Sequence, residues 1–323
     1  MASSKKDVAM LSTLLSAIAP AVVTLGIGFM AAREKTFSPS DASVLNRLVM
    51  RYALPLSLFV GTVRTSRAEL ASDGMLLALI IGVMCLGYLL VFGVAHWVFR
   101  RPAQVSALQA LSIAGPAVPF IGISVLGSLY GNQSTLLIAA ASLAMNLFQV
   151  PLCIYLLSAS AAPDATSAGA GPGGLQKVLD TLQTPVVWMP LLGLVITLLG
   201  VHIPESADKA LAMLGSTTGG VALFASGAIL FAQRVQFNPA VWASVIGKNL
   251  VLPGIALLLA WALGLPLTQM GQIAVTLSIP SASVVIMLAV QHQVGEQESA
   301  SVLFLSTVLS VFSMSLFIAL LAP

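Results

Sequence analysis

Residues 110–127 read ALSIAGPAVPFIGISVLG, and residues 274–287 read AVTLSIPSASVVIM. Both are apolar enough to lie in hydrocarbon, and both carry helix breakers at their centres. In the first these are Gly115, Pro116 and Pro119; in the second Pro280 stands among Ser278, Ser281 and Ser283. A proline inside a helix lacks the N–H that would bond one turn back, and its ring displaces the carbonyl that would have received it. Inside a bilayer the freed groups must be buried in protein or line a wet cavity. Two such segments in one chain point to a helical membrane protein with a pair of broken helices.

The surrounding sequence agrees. Of 323 residues 58% are hydrophobic and 8% charged, with a mean hydropathy of +1.00. A soluble domain needs about 25% charged residues to solvate its surface. Apolar stretches fall at 10–32, 44–63, 74–99, 104–130, 134–160, 184–201, 207–232, 238–264, 269–293 and 298–322. At roughly 20 residues per span, ten transmembrane helices fill the chain, and a soluble catalytic domain is not expected. The 14 basic residues are scattered singly or in pairs, a pattern that sets membrane orientation rather than nucleic-acid binding. Cys85 and Cys153 lie inside apolar runs and read as small hydrophobes, not a disulfide. Lys5-Lys6 precede an apolar run reaching Ala32, too long for a signal core and better read as an uncleaved first helix.

Most loops are short, but residues 158–183 are rich in Ala, Gly, Pro and Ser and read as a flexible linker. On either side of it, punctuating residues recur. Pro20 and Pro185 are 165 residues apart, as are Pro39 and Pro204; Pro102 and Pro266, Pro116 and Pro280, and Gly131 and Gly295 are each 164 apart. The expectation is a first five-helix repeat over 1–160, an inter-repeat loop over 161–183 and a second five-helix repeat over 184–323. Five is odd, so the second repeat enters the membrane from the opposite side, an inverted arrangement typical of alternating-access carriers. With the N-terminus outside, Arg33, Lys35, Arg100, Arg101, Lys177 and Arg234 fall in inner loops. Arg64, Arg67 and Lys209 fall in outer ones, with Lys5 and Lys6 in the tail. Six against five favours both termini outside.

Matched breaks in the fourth and ninth stretches would cross near the midplane and aim half-helix N-termini inward, a setting for a carboxylate. No Asp or Glu occurs between Asp73 and Asp164 or between Asp208 and Glu296. The intramembrane acids that cation carriers usually employ are thus missing from both proposed centres. Asn146 and Gln149 in MNLFQVPL place two amides near the middle of the fifth stretch, either for interhelical hydrogen bonds or for substrate. Lys248 in GKNLVLPG reads as a snorkelling lysine at the head of the eighth stretch. Arg47 and Arg51 read likewise near the start of the second. His96, His202 and His292 lie near helix ends, apart from each other, and do not read as ligands. No metal spacing, cofactor loop or nucleophile–base pair appears.

The second stretch, LNRLVMRYALPLSLF, resembles the Asn-Arg-x-Val-x-x-x-Ala-x-Pro signature of the auxin efflux carrier family, with Asn46, Arg47, Val49, Ala53 and Pro55 in the matching places. GKNLVLPG, SIPSAS and LSTVLS extend the likeness along the chain. That family includes plant auxin exporters and bacterial carriers labelled as malonate transporters. The resemblance implies a scaffold of helices 1, 2, 6 and 7 and a mobile core of helices 3–5 and 8–10, with helices 4 and 9 crossed, related to the bile-acid-symporter plan. It implies elevator-type alternating access by a secondary carrier of small organic anions in a prokaryotic inner membrane, as a monomer or a homodimer. Substrate would sit at Gly115, Pro116, Pro119, Pro280, Ser281 and Ser283, helped by Asn146 and Gln149 and facing Pro55. Many members carry an Asn seven residues before the second proline of the fourth helix, where this chain has Ser112. The shorter hydroxyl makes a wider or wetter pocket. Two other readings stand beside this one: a sodium-coupled organic-anion symporter, and a membrane sensor or assembly subunit that moves nothing.

Overall fold

The computed structural model describes residues 19–64, 74–159, 183–201, 203–233 and 235–321. The expectations for Lys5, Lys6, Arg67, Lys177, His202, Arg234 and nearly all of the inter-repeat linker lie outside these residues. Within them the chain is helical, with one isolated bridge in place of any strand. In chain order the rods are α1 (Ala19–Arg33), α2 (39–63), α3 (Gly74–Val98), α4 (Ala103–Ala114), α5 (118–130) and α6 (134–159). There follow α7 (Pro185–Leu199), α8 (Glu205–Ala232), α9 (Pro239–Ala262), α10 (Leu267–Ser278), α11 (Val284–His292) and α12 (Glu296–Leu321). The fourth apolar stretch is therefore two rods, α4 and α5, and the ninth is α10 and α11.

Among the described residues, α3, α8, α9, α12 and residues 136–158 of α6 are long and apolar enough to cross a bilayer. Their outer faces confirm the solvent they are built for. Leu90, Trp261 and Phe312 are 68%, 70% and 70% exposed, and a surface this apolar belongs in lipid rather than water. The protein is an all-α polytopic membrane protein.

Local sequence explains the rod ends and irregularities. Ser38 caps α2 in a reciprocal box: its hydroxyl accepts from the Asp41 N–H, and the Asp41 carboxylate accepts from the Ser38 N–H at 2.8 Å. The Ser38 hydroxyl, and then its backbone N–H, hold the Asp41 carboxyl below its usual range. Three helices widen into a π-turn two residues before a proline: Val49–Ala53 before Pro55, Ala144–Gln149 before Pro151, and Gly247–Val251 before Pro253. The wider turn relieves the clash between the proline ring and the preceding carbonyl, so these helices continue where a tight one would break.

Packing brings α2 against α7 and α8, and α3, α4 and α6 against one another. On the other side of the linker α9, α10 and α12 pack together, and α11 lies between α12, α4 and α2. The α1–α8 contact is the tightest: a Cβ on Gly28 would fall on the Phe224 carbonyl, and one on Gly227 on the Leu25 carbonyl.

Gly131, which ends α5, has φ 54° and ψ −128°, a region closed to residues with a Cβ. A Cβ there would meet nothing within 4 Å, so its substitution isolates backbone strain. Gly131→Ala is expected to cost about 1–3 kcal/mol, seen as a lower melting temperature with the same oligomeric profile. An unchanged melt would show that the loop relaxes freely.

Candidate functional site

The two breaks complete each other. After α4 ends, Gly115 is extended at φ −102° and ψ 92°, and Pro116 lies antiparallel to Ser281. The Ala117 N–H donates to the Pro280 carbonyl at 2.8 Å, and the Ala282 N–H donates to the Gly115 carbonyl at 3.0 Å. Neither proline can donate, so the residues one and two places on do so instead. A fragment of β-bridge thereby satisfies backbone that two broken helices leave open.

The carbonyl ends of the half-helices are satisfied by side chains. Gln149, fully buried on the π-turn of α6, donates through Nε2 to Ala114 O at 3.1 Å and to Met84 O at 2.9 Å. It thus ties the last residue of α4 to α3. Lys248 donates through Nζ to Leu277 O at 3.0 Å, near the end of α10. The snorkelling expectation for Lys248 is overturned, because its side chain is 0% exposed. The π-turn of α9 directs it inward, to a carbonyl at the negative end of a helix dipole, instead of outward to headgroups.

The residues expected at the site divide accordingly. Gly115, Pro116, Pro280, Ser281 and Gln149 meet at the bridge. A Cβ on Gly115 would lie 2.7 Å from Leu111 O and 3.4 Å from Gln149 Oε1, so only glycine fits there. Ser283, with Ala117 and Ala282, lines a cavity of about 10 Å³ against Leu54 and Leu58 of α2 and Thr218 of α8. That holds little more than the centre of one water, so the α2 side of the bridge is closed. Pro55 is buried beside Leu54, and the backbone of Pro119 belongs to the π-turn Val118–Gly122. Asn146 is buried one turn before Gln149. Ser112 goes elsewhere: it lines a small pocket with Gln109, Ser244 and Glu298, between α4, α9 and α12.

Several buried acceptors near these elements have no partner: Gln149 Oε1, Asn146 Oδ1, Ser281 Oγ, Thr218 Oγ1 and Asn46 Oδ1. An unmet buried polar atom costs about 1–3 kcal/mol, so this concentration marks the region as built for a task beyond packing. Gln149 therefore serves interhelical bonding through its nitrogen and leaves its oxygen open.

Sequence reasoning passed over two features. Asn46 was read only as part of a motif, yet its Nδ2 donates to Met287 O at 3.1 Å, linking α2 to α11. Its signal was an amide inside an apolar stretch. The second is a vestibule of about 1,410 Å³, lined by residues at the start of α2 and α7 and the end of α6 and α11. Arg47 and Arg51 line it with Asn46, Tyr52 and His292. Both arginines form no ion pair among the described residues, whereas Arg101 pairs with Glu298 (2.9 Å from NH1) and Arg64 with Asp208 (2.7 Å). A cavity with two free guanidinium groups and no carboxylate in its lining attracts anions.

Comparison with known proteins places the chain. A family model described as "Membrane transport protein" matches residues 13–169 and 175–318. The chain is 29% identical over 291 residues to "Uncharacterized transporter YfdV" of Escherichia coli K12, covering 88% of this chain and 90% of that protein. It is 22% identical over 300 residues to "Auxin efflux carrier component 8" of Arabidopsis thaliana, covering 78% of each. An "Uncharacterized transporter" of Methanothermobacter thermautotrophicus is 23% identical over 299 residues, covering 91% of this chain and 94% of its own length.

Proposed function

This chain belongs to the membrane transport protein family that includes the auxin efflux carriers, a transporter and not an enzyme, and from that premise we propose that it is a secondary carrier of small organic anions. The substrate class is mono- or dicarboxylates such as malonate or auxin-like acids. In this reading the chain is two inverted five-helix repeats, 1–160 and 184–323, joined by the loop at 161–183. α1, α2, α7 and α8 form the scaffold; α3–α6 and α9–α12 form a core that slides against it in an elevator motion. Both termini lie outside a prokaryotic inner membrane, so the vestibule faces the cytoplasm.

The observation that carries this reading is the bridge itself. Two proline breaks 164 residues apart meet through Ala117–Pro280 and Ala282–Gly115 hydrogen bonds, with unpartnered acceptors around them and no acid in either surrounding segment. Substrate would lie beside Gly115, Pro116, Pro119, Pro280, Ser281 and Ser283, within reach of Asn146 and Gln149, and opposite Pro55. Ser112 contributes through the α4 side of the core. The closed 10 Å³ cavity at Ser283 would open when α2 and the core separate. Asn46 to Met287 is a hydrogen bond that such sliding must break.

The test is uptake by proteoliposomes of a panel of labelled mono- and dicarboxylates, with and without sodium and a pH gradient. Uptake of at least one acid by counterflow is expected; a panel that never exceeds empty liposomes refutes the reading. Sodium-dependent uptake would favour the symporter reading instead.

Arg47 and Arg51 then gather substrate into the vestibule. Arg47→Gln combined with Arg51→Gln is expected to raise KM by about 3–10-fold at low ionic strength, with kcat little changed. The gap should close as salt screens the charges. An unchanged KM at low salt would remove the arginines from the path.

A further inference from the structure

Lys248 is enclosed along its whole length, and no Asp or Glu occurs between Asp208 and Glu296 to neutralise it. Burying an ammonium in low dielectric costs several kcal/mol unless something compensates. Here the compensation is backbone. Nζ donates to Leu277 O at 3.0 Å, at the carbonyl end of α10, where the helix dipole is negative and Pro280 has removed a donor. The π-turn Gly247–Val251 that carries the lysine packs against α4, α10 and α12. A Cβ on Gly247 would lie 3.2 Å from Ile113, one residue before the end of α4. The ammonium is therefore held among the carbonyl ends of the broken helices. Carriers with broken helices coordinate sodium at unwound carbonyls and half-helix C-terminal ends of this kind.

We propose that Lys248 is a tethered cation, standing where an exchangeable cation would bind at the carbonyl end of α10, so that the protein needs no external sodium to hold its crossed helices together. A fixed ammonium completes the core permanently; a bound sodium ion would do so only when present. The inference rests on the carrier reading for its setting, but its test needs no substrate, so the two can fail separately.

The test is thermal unfolding of the purified full-length protein in sodium chloride and in choline chloride of equal ionic strength. The wild type is expected to melt at the same temperature in both. Lys248→Ala is expected to melt lower in choline and to regain about 3 °C or more in sodium or methylammonium chloride, which can refill the vacated place. Lys248→Arg, which keeps the charge, is expected to ignore the choice of salt. If the alanine variant does not survive extraction, Lys248→Met carries the same comparison with the side-chain volume retained. A wild type stabilised by sodium over choline overturns the proposal. So do neutral variants that respond to neither cation.

Discussion

Replacing Gln149 by leucine is expected to abolish uptake of whatever carboxylate the reconstituted wild type carries, while the protein still inserts and purifies. The two side chains are similar in volume, so the change tests hydrogen bonding more than packing. Gln149 Nε2 serves two buried carbonyls, Ala114 O at 3.1 Å and Met84 O at 2.9 Å, and leucine leaves both unmet. At about 1–3 kcal/mol for each buried group left without a partner, the end of α4 should loosen from α3 and the melting temperature should fall. The unpartnered Oε1 beside Gly115 disappears as well, and with it a polar atom at the proposed site. Initial uptake rates, read alongside melting temperatures, separate the two losses. Uptake within twofold of wild type would remove Gln149 from the site. Pro280→Ala should be milder, because the bridge uses the Pro280 carbonyl, which alanine keeps.

The second large effect concerns folding. Gly28→Leu or Gly227→Leu is expected to yield no monodisperse protein after extraction. Ala21, Leu25, Gly28 and Ala32 share the buried face of α1, spaced four, three and four residues apart. Without a hydrophobic drive between helices in lipid, close backbone approach over small residues holds such a pair together. A side chain at Gly28 collides with the Phe224 carbonyl, whose carbon lies 2.8 Å from the ideal Cβ; one at Gly227 collides with Leu25 and comes within 2.9 Å of Phe29 N. These are backbone atoms and cannot rotate aside. Separating the helices would also undo the edge-to-face contact of Phe29 with Phe231 at 5.2 Å. The loss should reach about 4 kcal/mol or more, the range of severe core overpacking. Gly26→Leu is the control, since a Cβ there meets nothing within 4 Å; it should elute and melt as wild type does. A Gly28→Leu protein that also did so would disprove the close approach.

The candidate site was legible where covalent chemistry alone sets the constraint. Pro116 and Pro280 cannot donate, so the broken rods and the need for an internal partner follow from residue type. Gln149 was legible as an amide that must find a partner, though not which. Lys248 was misread because a lysine some ten residues into a helix can reach headgroups or the interior equally well, and only the π-turn decides. Ser112 was assigned to the pocket through its distance from a proline, but a helix face is not fixed by spacing once a neighbouring rod is broken. The vestibule left no local signal at all, since its lining comes from the ends of four helices far apart in the chain.

Hydropathy, with proline and glycine placement, by itself determined that this protein lives in a membrane, that its spans number about ten, and that two of them break at matched positions. Each of those follows from what a backbone can do in hydrocarbon, residue by residue. Only the tertiary structure decided that the two breaks bond to each other, that Lys248 turns inward to Leu277, and that Arg47 and Arg51 look into a shared vestibule. Such facts depend on which rods lie side by side. Between lipid-soluble helices that choice is made by close packing and by the pairing of a few buried polar groups, neither of which is written at one place in the chain.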